Sequence, residues 1–133
     1  MTTELFYLTL TSIWLATMWA PFIAGAVRHD GENMRRNLVT PRNPATLPPW
    51  VQRANRAHVN LVEQFGPYAV LIITLHMMGV SDAWTVGAAA AFFWLRVAHA
   101  GVMWAGVSVP VRPMLFTGCW VAILVLAWRA LAA

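Results

Sequence analysis

The 133-residue chain contains no lysine. All nine of its basic residues are Arg, five residues are acidic, and charged residues make up only 11% of the whole. A soluble domain normally carries about a quarter charged residues. With 59% hydrophobic residues and a mean hydropathy of +0.59, the chain has more apolar surface than one water-soluble core can cover. The expected solvent is a lipid bilayer. Absence of Lys fits a coding bias as well as it fits selection for Arg, which keeps its proton in low dielectric and offers carboxylates a planar fork. A single cysteine, Cys119, excludes an intrachain disulfide and a cysteine-based metal box. It reads as a small packing residue. The isoelectric point near 10.7 does not point to nucleic acid, because the Arg residues form no tract interleaved with exposed aromatics. There is also no internal repeat and no low-complexity segment.

What is present is a set of four apolar runs. The first, over residues 5–27, has no charge and is long enough for a ~30 Å hydrocarbon layer. Glu4 stands before it where a cleaved signal peptide would carry basic residues. The second run covers about 50–78, the third about 83–107 and the fourth about 113–132. Trp14, Trp19, Trp50, Trp84, Trp104 and Trp128 lie mostly toward the ends of these runs, as interfacial aromatics do. Short links at 79–82 and 108–112 require antiparallel neighbours. The expected fold is therefore all-α, with residues 1–133 forming one integral membrane four-helix bundle.

Orientation follows from where the cations fall. The long 28–49 loop and the last link carry Arg28, Arg35, Arg36, Arg42 and Arg112, whereas residues 79–82 carry no Lys or Arg. The positive-inside rule places the long loop and Arg112 in the cytoplasm and both termini on the other side. Pro41, Pro44, Pro48 and Pro49 are expected to keep the second half of that loop extended.

The second run is polar in its first half. Arg53, Arg56, Asn60 and Glu63 recur at steps of three, four and three, which puts them along one stripe of a helix. Ionisable groups inside a membrane helix are costly and usually line a shared polar cavity. At ~1.5 Å per residue, Glu63 lies roughly 20 Å from Trp50, and Arg96 of the third run lies roughly 18 Å from Ser108. Equal depth and opposite sign make Glu63 the expected partner of Arg96. His99 and Met103 share the Arg96 face.

With Arg56, Asn60 and Arg112 these residues would form an Arg-dominated cleft for an anionic, peptide-like ligand. Arg forks suit carboxylates, Asn suits an amide and Glu suits an ammonium. Guanidinium groups would also stabilise a ligand thiolate against an apolar electrophile. The same residues fit a second reading, as polar ties between helices. His58 and His99 fall at similar depth on adjacent helices, but no carboxylate completes a usual ligand set, so no metal site is expected.

The pattern Arg53-x-x-Arg56-Ala57-x-x-Asn60-x-x-Glu63-x-x-x-Pro67 resembles the signature of the MAPEG family, the membrane-associated proteins in eicosanoid and glutathione metabolism. Arg96-Val97-Ala98-His99 and Pro110-Val111-Arg112 are similar to that family's third helix and the start of its fourth. The resemblance implies a homotrimer with glutathione, as co-substrate, bound between subunits near the cytoplasmic side. By motif position, Arg28, Arg56, Asn60, Glu63 and His99 would contact glutathione. Arg112 would stabilise its thiolate, with Arg53 and Arg96 as supporting charges.

Two positions depart from the family pattern. Met103 stands where the third helix usually carries a Tyr, and Gln64 stands where an aromatic often follows the Glu. Met cannot donate a hydrogen bond.

The function expected from all this is a glutathione-dependent transferase or peroxidase acting on lipophilic electrophiles. The alternative is a non-catalytic trimeric binding or scaffold protein of the same fold, which Met103 favours. Lys-free composition and minimal loops fit a bacterial inner membrane.

Overall fold

The computed structural model describes residues 1–31, 43–107 and 110–133. Its helices are α1 (Thr3–Thr17), α2 (Ala20–Asp30), α3 (Pro49–Met77), α4 (Ala83–Ala105) and α5 (Val111–Leu131), with a 3-10 turn at Pro44–Thr46 before α3. Among the described residues there is no strand. The stretch Thr3–Asp30, α4 and α5 are each long and apolar enough to cross a membrane. α3 is longer than any of them, but its polar first half lowers its hydropathy. The molecule is an all-α bundle of four membrane helices, the first made of two pieces.

That break has a local cause. Pro21 is the second residue of α2 and has no N–H to return to the Thr17 carbonyl, so the helix cannot run through. α1 closes with the Met18 amide bonded to Trp14 and Leu15, and α2 restarts from Trp19 with Pro21 in the first-turn position that tolerates it. The expected single run over 5–27 is therefore two helices, and the second continues past Arg28 to Asp30.

α2 reaches α3 through Gly25. A Cβ at that position would stand 2.5 Å from both the Trp50 ring and a Val51 methyl, so only Gly allows the approach.

The core is the stripe that α3 turns toward the bundle. Ala57, Leu61, Gln64, Tyr68, Ile72 and Leu75 are all buried, at steps of three and four. Tyr68 stacks on Phe92 of α4 with ring centroids 4.0 Å apart, and its hydroxyl donates to the Ala89 carbonyl at 3.4 Å. Trp14 and Trp104 meet at 5.9 Å where α1 crosses α4.

The two ends of α4 are fixed differently, the first by side chains and the last by a glycine. At its start, Asp82 accepts from the amides of Trp84 (2.8 Å) and Thr85 (3.0 Å), and Thr85 Oγ1 accepts from the Asp82 amide at 2.9 Å. This is a reciprocal capping box. Asp82 also takes both Nε (2.8 Å) and an NH2 (2.5 Å) of Arg129, which locks the last turn of α5 to the first of α4. Outside the membrane spans, this capping by the Thr85 amide, aided by Arg129, holds the Asp82 carboxyl below its ordinary value. At its other end α4 stops at Gly106, whose φ of +72° favours glycine.

Candidate functional site

The stripe Arg56, Asn60, Glu63 lies on α3 beside its core-facing stripe. α4 brings buried His99 and Met103 to it, and the first turns of α5 bring Arg112, Pro113, Phe116 and Thr117. Together they enclose a cleft of about 480 Å³, within the range of small-molecule sites. Arg56 and Glu63 are exposed, while Asn60 and Arg112 are half-buried.

Each part of this wall has a structural origin. Arg112 is the second residue of α5, a helix whose start has no side-chain cap. The positive end of the helix dipole and a guanidinium therefore coincide, and both attract an anion. The Arg112 Nε is buried without a hydrogen-bond partner. Four residues after Glu63 comes Pro67, inside α3, which has no N–H to give the Glu63 carbonyl. The cleft thus holds unmet donors on the α5 side and an acceptor-rich Glu63 on the α3 side.

A second opening of about 380 Å³ adjoins the first and shares Arg56, Met103 and Arg112 with it. Pro49, Gln52 and Arg53 complete its wall. Arg53 is anchored there, its Nε donating to the Met103 carbonyl at 2.9 Å, with its guanidinium against Gly106. Three Arg and no carboxylate make this mouth cationic, so an anion approaching the cleft is drawn inward.

Arg96 corrects one expectation. It is only 2% exposed, and it donates through NH2 to Gln64 Oε1 rather than to Glu63. The rings of Phe92 and Phe116 flank its guanidinium at 5.5 and 5.2 Å, a cation–π sandwich. The physical reason is helical phase. Glu63 and Gln64 differ little in depth but by about 100° around the helix, and Gln64 is on the core stripe with Leu61 and Tyr68. Depth alone had no means of choosing between them, whereas the phase of the apolar stripe does.

The remaining candidates separate clearly. Arg28 is exposed on the last turn of α2 and lines neither opening. His58 lies outside the cleft wall, and among the described residues no three His, Cys, Asp or Glu side chains gather as a metal-ligand group. Arg35, Arg36, Arg42 and Pro41 lie outside the described residues.

A family model described as MAPEG family matches residues 5–132, a span that includes every residue of the cleft. No curated protein matches the chain.

Proposed function

The chain belongs to the MAPEG family, membrane proteins that include glutathione-dependent transferases and peroxidases, and on that premise we propose that the cleft binds glutathione as a co-substrate. The observation that carries this reading is the convergence of Arg56, Asn60, Glu63, His99 and Arg112 on one cleft from three helices. Arg56 pairs with a glutathione carboxylate, Asn60 with a peptide amide, and Glu63 with the α-ammonium. His99 completes the polar wall. Arg112 faces the sulfur: its guanidinium, at the positive end of α5, favours the thiolate and releases the thiol proton to water at the cleft mouth.

The thiolate then attacks a lipophilic electrophile that enters from the bilayer. A C–S bond forms and the electron pair departs with the leaving group. With a hydroperoxide, the same thiolate attacks the terminal oxygen instead: an S–O bond forms, the O–O bond breaks, the alkoxide leaves and takes a proton from water, and a second glutathione converts the sulfenic acid to the disulfide and water. Exposed Arg56 and Glu63 at the edge of a membrane helix call for a cover, and a neighbouring subunit of a homotrimer supplies it. The Arg-rich end of the bundle, with the 28–49 loop, faces the cytoplasm, in keeping with a bacterial inner membrane.

Detergent-purified protein given glutathione and a generic aryl halide tests the reading. Conjugation above the uncatalysed rate, lost in Arg56→Ala, is the expected result. Absence of glutathione binding at millimolar concentration overturns it.

A second reading has its own observation. Met103 is buried in the cleft wall and offers no donor where a hydroxyl would reach the ligand. A trimeric binding protein that holds lipophilic ligands without chemistry fits that substitution. It requires the aryl halide reaction to proceed no faster with the protein than without it.

A further inference from the structure

The Arg53-lined mouth has a chemistry of its own. Its wall carries Arg53, Arg56 and Arg112 with Pro49, Gln52 and Met103, around a space of about 380 Å³. Arg53 lines this opening and not the cleft, whereas Glu63 lines the cleft and not this opening. The cleft therefore holds two guanidiniums and a carboxylate, and the mouth holds three guanidiniums and no carboxylate.

The chain does not neutralise these cations. Arg53 and Arg56 stand one turn apart on α3, and neither has an Asp or Glu three or four residues away, where an opposite charge would offset their repulsion. Among the described residues no carboxylate pairs with Arg53, Arg56 or Arg112. Arg53 uses its Nε on the Met103 carbonyl at 2.9 Å, which fixes the side chain and leaves the two terminal nitrogens of its fork for a ligand. Arg112 Nε is buried without a partner. Gln52 Nε2 donates to the Ala45 and Leu47 carbonyls at 3.3 and 2.7 Å, so the Pro49 side of the wall is held in place as well.

The position of the mouth narrows the ligand. α3 begins at Pro49, α4 ends at Ala105 and α5 begins at Val111, and the Arg53 guanidinium lies against Gly106. α4 and α5 are long enough to cross a bilayer, so their ends here stand at the level of the lipid head groups. Trp50, next in the chain to Pro49 and 43% exposed, suits that level as an interfacial aromatic. Head groups carry phosphate. A tetrahedral phosphate can turn an oxygen to each of three forks, which a planar carboxylate with two oxygens cannot.

We propose that the mouth is a phosphate-binding site, with Arg53, Arg56 and Arg112 each donating to the anion. The phosphate has two sources with one chemistry, the head group of an anionic phospholipid and free phosphate. The site stands apart from the glutathione reading, since Arg53 is outside the cleft and no glutathione enters the test.

The full-length protein in maltoside detergent is titrated with millimolar sodium phosphate at neutral pH while tryptophan fluorescence follows the thermal midpoint. Sodium chloride at equal ionic strength is the control. The midpoint rises saturably with phosphate and not with chloride. Exclusion of phosphate from the protein surface also raises midpoints, but without saturation and equally in a variant, so Arg53→Gln isolates the site. That variant weakens the apparent Kd by about tenfold or more, as loss of a charge-assisted contact requires. An equal response to chloride, or an apparent Kd unchanged in Arg53→Gln, overturns the proposal. If Arg53→Gln does not fold, phenylglyoxal labelling of the unaltered protein decides. Phosphate shields Arg53 and leaves exposed Arg28 reactive, and equal labelling of Arg53 with and without phosphate overturns the proposal. Vesicles of phosphatidylcholine with added phosphatidic acid identify the source. Loss of the response to free phosphate there assigns the site to the lipid head group, and a response that persists assigns it to free phosphate.

Discussion

Arg96 donates to Gln64, the residue next to Glu63, and is closed in by Phe92 and Phe116. The buried cation is met by a neutral amide and two rings, and the carboxylate one residue away is left in the cleft wall. The tie to the buried cation and the carboxylate of the cleft wall thus fall on adjacent residues of one helix.

That division gives paired outcomes. Gln64→Leu leaves a buried guanidinium without its acceptor and costs about 1–3 kcal/mol of stability. Glu63→Gln changes an exposed residue and shifts stability by no more than about 0.5 kcal/mol. It weakens glutathione binding by about tenfold or more, since a charge-assisted hydrogen bond is lost. Thermal midpoints and glutathione titrations of the two variants check both halves. A destabilised Glu63→Gln beside an unaffected Gln64→Leu would reverse the assignment.

Met103→Tyr returns a hydroxyl to the cleft wall. One added hydrogen bond contributes about 0.5–1.5 kcal/mol, so glutathione affinity rises by up to about tenfold. Calorimetry on the variant measures this directly, and an affinity that falls would mean the ring does not fit where the Met side chain now lies.

Gly25→Ala sets a Cβ against Trp50 and Val51, each 2.5 Å away. The Val51 methyl is buried and has little room to yield, so α2 is pushed from α3 at a cost of about 1–3 kcal/mol. A lowered thermal midpoint with unchanged glutathione affinity is the expected pattern, because neither contact belongs to the cleft.

Asp82 makes stability pH-dependent. Its folded-state carboxyl titrates below the ordinary 3.8, mainly because the Thr85 amide bonds it, with Arg129 adding to the effect. The unfolded chain therefore binds the proton more readily. The stabilisation is full above the ordinary value and is lost as pH falls through the lower folded value. Asp82→Asn keeps a capping oxygen but no charge. Its midpoint should lose that part of the acid dependence between about pH 5 and pH 2, as measured by thermal melts across the range.

Much of this molecule was legible because its signals are local. The four apolar runs and the Arg56–Asn60–Glu63 spacing follow from residues within a few turns of one another, whereas the first run was read as one helix and the missing N–H of Pro21 divides it in two. The Arg96 partner was within reach of the same logic, since the stripe of Ala57, Leu61 and Tyr68 marks Gln64 as core-facing. Glu4 is a different case. Its partners Ser81 and Thr85 are 77 and 81 residues away, and nothing in the first ten residues marks a carboxylate as buried. The second, Arg53-lined mouth likewise depends on how the end of α4 meets the start of α3, which spacing within either helix does not specify.

The proposed glutathione chemistry depends on Arg112 stabilising a thiolate in the cleft. Its most direct test is a glutathione titration of the detergent-purified protein, followed by the ultraviolet absorbance of the thiolate at neutral pH, beside Arg112→Ala. A saturable thiolate signal is expected in the unaltered protein, and in Arg112→Ala retained glutathione binding with that signal lost. A thiolate signal of equal size in Arg112→Ala, or none in the unaltered protein at saturating glutathione, would contradict it.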